Sequence, residues 1–272
     1  MATSWPEPVH ASVAVPQRPA VAPSSGLTAA SLEHKAPTEI ASKRTANSDT
    51  YDNHDGTFTA SISPDPINYQ PTAGGAWSPI DLSFTDVPKG NGRLRMSASP
   101  TAVEVGAPDD SAGFVSVDTG KGKISLHLAP GASAGKAGSK PTKSGHRADV
   151  SGLLDGVDLR VLPSADGFRL FLTLSAVPKS SSFTFDLVSP GLTPSLQSDG
   201  SIKFTDKSGS VAATMPAPYA TDSTPAGRRG SGQMTMSVEY ALTSQGSHTL
   251  LTVMVDPTWL ASAVYPGSCQ AV

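Results

Sequence analysis

Residues 233–240 read Gln-Met-Thr-Met-Ser-Val-Glu-Tyr, with apolar and polar side chains in strict alternation. A strand turns successive side chains to opposite faces, so this order makes a ribbon with one oily and one wet side and does not suit a helix. The same period recurs at Phe58, Ala60 and Ile62, at Ile124, Leu126 and Leu128, at Phe168, Leu170, Leu172 and Leu174, at Phe183, Phe185 and Leu187, and at Ile202 and Phe204. Between these runs stand Asp55-Gly56, Gly74-Gly75, Asp155-Gly156, Asp166-Gly167, Asp199-Gly200 and Ser208-Gly209. Each marks a tight turn, because Gly accepts positive φ at no steric cost and Asp tolerates it. The run at 234–240 predicts Met234, Met236, Val238 and Tyr240 pointing inward. The more apolar stretch 249–255 follows as the second, deeper strand of a hairpin. Twenty-five Gly, 24 Pro and a charged fraction of 16%, against about 25% in an average domain, agree with a turn-rich chain poor in helical surface. The expected fold class is all-β: an antiparallel β-sandwich, or two small β subdomains in series, behind a disordered N-terminal leader.

Composition divides the chain further. Residues 1–40 begin with Pro, Ala, Ser and Val in irregular order and read as a disordered or extended leader, with room for a short helix at Leu27–Lys35. Residues 41–129 form an N-terminal β half and 149–266 a C-terminal one. The small, polar and basic stretch 130–148 between them reads as a flexible linker, and Tyr219–Gly232 as a weaker break. Residues 267–272 are an atypical tail, and the strand ending near Val255 is expected at an exposed edge.

A net charge of −3 without a basic stripe argues against nucleic acid and anionic membrane as partners. Cys269 stands alone, which excludes an intrachain disulfide and a cysteine-based zinc site. No apolar run reaches the length of a membrane helix, so no membrane insertion is expected, and Met1–Ala20 has neither the basic nor the apolar part of a signal peptide. The chain is therefore expected to be either cytoplasmic or a fragment whose start lies upstream. It has no Walker-type loop and no Gly-rich dinucleotide fingerprint leading into a helix, and no cofactor is expected.

Four groups of residues invite a chemical reading. Gly131-Ala132-Ser133-Ala134-Gly135 matches the nucleophile pattern G-x-S-x-G, with His248 as the later base, but helix-poor sequence follows where the pattern needs a helix. A Gly/Ser/Ala linker explains it better. Asp52, His54 and Asp55 before Gly56 hint at a calcium loop but lack the alternating acidic ligands, and turn chemistry accounts for them. Asp155 and Asp158 would suit paired acid and base work only at a fixed separation, and a turn followed by a strand's wet face explains both. Tyr69, Trp77, Trp259 and Tyr265 would make an aromatic platform for sugars, the ligand site being set on Tyr69, Trp77 and Tyr265, although isolated aromatics in a β protein are usually core. The six histidines are scattered, without H-x-H or H-x-x-x-H spacing, and His127 falls on the wet face of its strand.

The stretch 42–70, with Arg44-Thr45, Asn47-Ser48, Asp52 to Thr57 and Pro66 to Tyr69, followed by Trp77 to Asp81, resembles the N-terminal region of large secreted bacterial cell-surface proteins. Those proteins carry DNRLRE-type β domains and YD-repeat (Rhs) arrays ending in a toxin. Residues 156–168, 183–209 and 255–266 resemble successive parts of the same region, in order. The resemblance implies a non-catalytic structural or display module, extracellular or wall-associated, and a fragment of a larger chain. It carries no catalytic residue onto this sequence. It also implies the downstream domains of a larger surface protein as partners, with cell-wall or host glycan beside them. A carbohydrate-binding module is the rival reading, and a hydrolase built on Ser133, or on Asp155 and Asp158, the enzymatic one.

Overall fold

The structure is a computed structural model, and it describes residues 35–225 and 233–270. Residues 1–34 of the leader expected over 1–40, with most of its short helix, lie outside the described residues, as does 226–232 of the weaker break; the leader's described end enters a strand at Thr38–Glu39.

All described sheets are antiparallel, as the hairpin signals predict. A small sheet joins β1 (Thr38–Glu39), β2 (Ser48–Asp52) and β3 (Phe58–Ile62), and a ribbon pairs β4 (Asn68–Tyr69) with β5 (Ser78–Pro79). Then follow β6 (Asp81–Asp86), β7 (Leu94–Ala98), β8 (Ala102–Val105), β9 (Val115–Asp118) and β10 (Lys123–Leu128). Next come β11 (Thr142–Lys143), β12 (Ala148–Leu154), β13 (Val157–Ser164), β14 (Gly167–Leu174) and β15 (Ser182–Val188). A second small sheet holds β16 (Thr193–Leu196), β17 (Ile202–Thr205) and β18 (Val211–Met215). The chain closes with β19 (Tyr219–Thr221), β20 (Met234–Thr235), β21 (Val238–Gln245), β22 (His248–Val255), α1 (Pro257–Ser262) and β23 (Gly267–Gln270). Asp256 caps α1 by accepting from Thr258 N, with Pro257 behind it. No helix of the described residues is long and apolar enough to cross a membrane.

Two large sheets carry the molecule. One has eight strands in the order β21-β22-β15-β10-β9-β8-β7-β6, the other seven in the order β11-β12-β13-β14-β23-β19-β20. They share one apolar core: Val103, Val105, Leu251 and Val253 from the first meet Val150, Leu159, Leu170 and Leu172 from the second, all nearly inaccessible. β10 and β15 lie on opposite sides of the 130–148 stretch and pair directly, Leu126 with Leu187 and His127 with Asp186, so three strands of the C-terminal half continue the five of the N-terminal half in one sheet. The stretch itself holds β11, and its Gly135 runs so close to β12 that a Cβ there would stand 2.2 Å from the Leu154 carbonyl oxygen. β23 is built from the expected tail and inserts between β14 and β19.

Two local expectations change. The alternation at 234–240 splits: Met234 belongs to β20 in the seven-stranded sheet and Val238 and Tyr240 to β21 in the other, the chain crossing at Met236 and Ser237. Val238 and Tyr240 are buried, while Met234 and Met236 are exposed at the crossing. β22 is interior, flanked by β21 and β15, because its apolar run faces the core through Leu251, Val253 and Val255; the expected exposed edge near Val255 is not there. The β21–β22 hairpin closes over Gly246 and Ser247, with Gln245 opposite His248 and Gly246 at φ 62°, as the sequence predicts.

The turns repeat one device, an aspartate accepting the N–H two residues ahead. Asp55 takes Thr57, Asp199 takes Ser201 and Asp206 takes Ser208, each also accepting that residue's hydroxyl. Those hydroxyl bonds are the largest cause that holds the three carboxyl groups below the usual carboxylate range. Their contribution is present above the ordinary carboxylate pKa near 4 and is lost as pH falls through the lower folded values. Urea titrations should therefore show stability declining below about pH 4, more steeply in the wild type than in Asp206→Asn. Leu172→Ala, in the core, should cost about 2–5 kcal/mol, whereas Ile62→Ala, at 79% exposure, should stay within about 0.5 kcal/mol.

Candidate functional site

Alternation that sends Ile124 and Leu126 into the core sends Ser125 and His127 to the other face of the eight-stranded sheet. β15 does the same with Asp186, between Phe185 and Leu187, and register sets Asp186 beside His127 on one side and Leu250 on the other. His248, two residues from Leu250, shares that face, and its Nδ1 lies 2.6 Å from Asp186 Oδ2. His127 Nε2 lies 3.0 Å from Ser125 Oγ. Three strands thus place two imidazoles around one carboxylate that is only 8% exposed. Asp186 Oδ1 is buried without a hydrogen-bond partner, an arrangement that costs stability unless something offsets it.

The polar face continues past Ser125, whose strand neighbour is Ser116. Ser116 Oγ accepts from Arg93 Nη2 at 3.3 Å. Arg93 is itself buried: Nη1 lies 2.8 Å from Asp110 Oδ2 and donates to the Gly113 carbonyl at 2.9 Å, and Nε lies 3.4 Å from Glu104 Oε2. Glu104 also holds Arg95 at 2.6 Å. Gly106 makes room for this knot, since a Cβ there would stand 2.5 Å from both Arg93 Nη1 and Asp110 Oδ2. The result is one polar seam from Arg95 to His248, crossing strands distant in sequence.

Chemically, the seam offers proton transfer. Asp186 fixes His248 through Nδ1, leaving the other ring nitrogen of a partly exposed side chain for a ligand. Burial pushes the His127 imidazolium down from its ordinary value of 6.5, with the Asp186 charge opposing that shift. Among the described residues no group of three His, Cys, Asp or Glu side chains is placed to hold a metal ion.

A cleft of about 790 Å³ is lined by Val117 and Ile124 of the eight-stranded sheet, Phe168 and Arg169 at the start of β14, and Ala213 of β18.

The residues singled out in the sequence go elsewhere. Asp52 accepts from His54 N and Asp55 from Thr57, so the acidic loop is spent on its own turn. Asp155 pairs with Lys179 at 2.7 Å and Asp158 accepts from Gly152 N at 2.7 Å. Ser133 sits in the loop before β11, and the partner of His248 is Asp186. Tyr69 lies on β4 and Trp77 just before β5, each half-buried, while Tyr265 packs against the core and donates its hydroxyl to the Leu260 carbonyl at 2.7 Å. Trp259 packs against the same core from α1.

No protein-family model matches the sequence, and no solved structure matches it. Among curated proteins, the tRNA3(Ser)-specific nuclease WapA of Bacillus spizizenii is 25% identical over 237 residues, which cover 85% of this chain and 10% of that protein. The tRNA nuclease WapA of Bacillus subtilis matches equally well, and the tRNA(Glu)-specific nuclease WapA of Bacillus subtilis subsp. natto is 24% identical over 239 residues. The likeness is to tRNA nucleases. This chain spans about a tenth of the length of these curated relatives. The finding corrects three expectations: a non-catalytic display module, a chain that is not an enzyme, and the absence of a nucleic-acid partner. The first two rested on the resemblance, which carried no catalytic residue onto this sequence, and the third on a net charge of −3 without a basic stripe.

The seam gives a direct test. His127 should titrate by NMR with a midpoint below 6.5, and a midpoint at or above it would contradict the burial assigned here. Because the unfolded chain then takes that proton more readily than the folded one, this histidine should lower stability as pH falls through about 6.5.

Proposed function

We propose that this chain is a folded segment of a tRNA nuclease of the WapA kind, set within a secreted or wall-associated bacterial protein that carries DNRLRE-type and YD-repeat domains. One observation carries the reading: 85% of the chain aligns with tRNA nucleases along a single span. The antiparallel sandwich suits such a segment, since two sheets on one core give a rigid unit for a long polypeptide. Within this chain, the group suited to phosphodiester chemistry is His127, Asp186 and His248, where one carboxylate holds the His248 imidazole through Nδ1 and the His127 imidazole lies beside it on the neighbouring strand.

The test is made on tRNA itself. The purified chain, and separately the protein translated from the entire gene, are incubated with total tRNA and resolved on denaturing gels. Cleavage is expected from the product of the entire gene. If the isolated chain also cuts, His127→Ala and His248→Ala should each slow it by on the order of a hundred-fold or more. Intact tRNA with both preparations would overturn the proposal.

A further inference from the structure

Among the described residues, none from 35 to 67 is buried. Asn68 is the first enclosed residue, and the core begins only at Phe84. The sheet β1–β2–β3 is regular all the same: Ser48–Asp52 pair in full with Phe58–Ile62, and Asn53 Nδ2 donates to the Thr57 and Thr59 hydroxyls at 2.9 and 3.0 Å. Yet Phe58 and Ile62, 57% and 79% exposed, stand in solvent, and no apolar side chain of this sheet belongs to the core or packs against it. Three strands need an apolar face packed on something to stand by themselves. This sheet is fastened by polar bonds instead.

The segment around the β4–β5 ribbon presents the partners. The backbone amides of Ile67 and Asn68 both donate to the Ala46 carbonyl, at 2.8 and 3.0 Å. Asn68 Nδ2 donates to the Thr45 carbonyl at 3.0 Å and to Asp49 Oδ1 at 2.8 Å. Arg44, which also bonds Glu39, donates through Nη1 to the Trp77 carbonyl at 3.3 Å. All of these bonds land on Arg44–Asp49, the stretch leading into β2, with Asn68 at their centre. Asn68 Oδ1 is itself buried without a hydrogen-bond partner, which counts against the closed form. Bonds of this kind replace bonds to water and leave a small net gain, while every ordered residue of the sheet loses conformational freedom. The rest of the molecule is held by apolar burial, so the sheet is the part that opens at the lowest free energy. We propose that residues 37–63 open and close as one unit on a body that stays folded, with Asn68 as the latch. Asp65 and Pro66, through which the sheet joins the rest of the chain, line the cleft of about 790 Å³, so opening moves part of its wall.

The test is amide hydrogen exchange read by mass spectrometry on the full chain, in urea too dilute to unfold the body. Peptides from residues 37–63 should exchange on the order of a hundred-fold faster than those of β13 and β22, and should quicken together as urea rises. They should still exchange about ten-fold or more slowly than unstructured chain. Asn68→Ala should speed exchange over 37–63 by about ten-fold and leave β13, β22 and the thermal unfolding midpoint as in the wild type. Ile62→Ala, in the same sheet but away from the latch, should change neither. Exchange of 37–63 at the pace of the body, or at that of unstructured chain, would overturn the proposal. So would an Asn68→Ala variant that exchanges like the wild type, or one that loosens the whole molecule alike.

Discussion

The pairing of β10 with β15 holds the rest of the architecture in place. It brings together two segments nearly sixty residues apart and aligns Leu126 with Leu187, so that the apolar faces on either side become one surface. A slip of one residue would turn Phe183, Phe185 and Leu187 to the wet face and Asp186 into the core. Burying an unpaired carboxylate there costs several kcal/mol, and exposing three large apolar side chains about 1.5–3 kcal/mol each, so the observed register has no near competitor. The polar seam is a product of that register, since the ladder that buries the leucines also sets Asp186 beside His127.

Much of this was legible in the sequence. The strands at 123–128, 167–174, 182–188 and 202–205 follow from their period of two, and the Asp-Gly and Asp-x-Ser/Thr turns follow from local chemistry. What was not legible is what depends on partners far along the chain. Met234 and Met236 carry the same alternation as Val238 and Tyr240, and only the crossing between sheets exposes the first pair. The two halves read as serial because a linker composition separates them, while strand pairing across it leaves no local mark.

The candidate site illustrates the same limit. His127 was placed on a wet face correctly, yet nothing near residue 127 points to Asp186 or to His248, which lies 62 positions beyond that aspartate. Motif searches favour groups that are close in sequence, such as Asp155 with Asp158, and here those are spent on a lysine and a backbone amide. A single polar residue flanked by large apolar ones, as in Phe185-Asp186-Leu187, is the one trace of the seam in the sequence.

The seat of β23 between β14 and β19 bears on how the molecule is made. Until residues 267–270 leave the ribosome, β11–β14 and β19–β20 have no strand to join them, and the seven-stranded sheet exists as two pieces. The buried Cys269 is then the closing element of the core, delivered after more than 260 residues have already emerged. Such a sheet closes only once β23 has been made. Its two exposed inner edges are meanwhile open to any chaperone that holds extended chain.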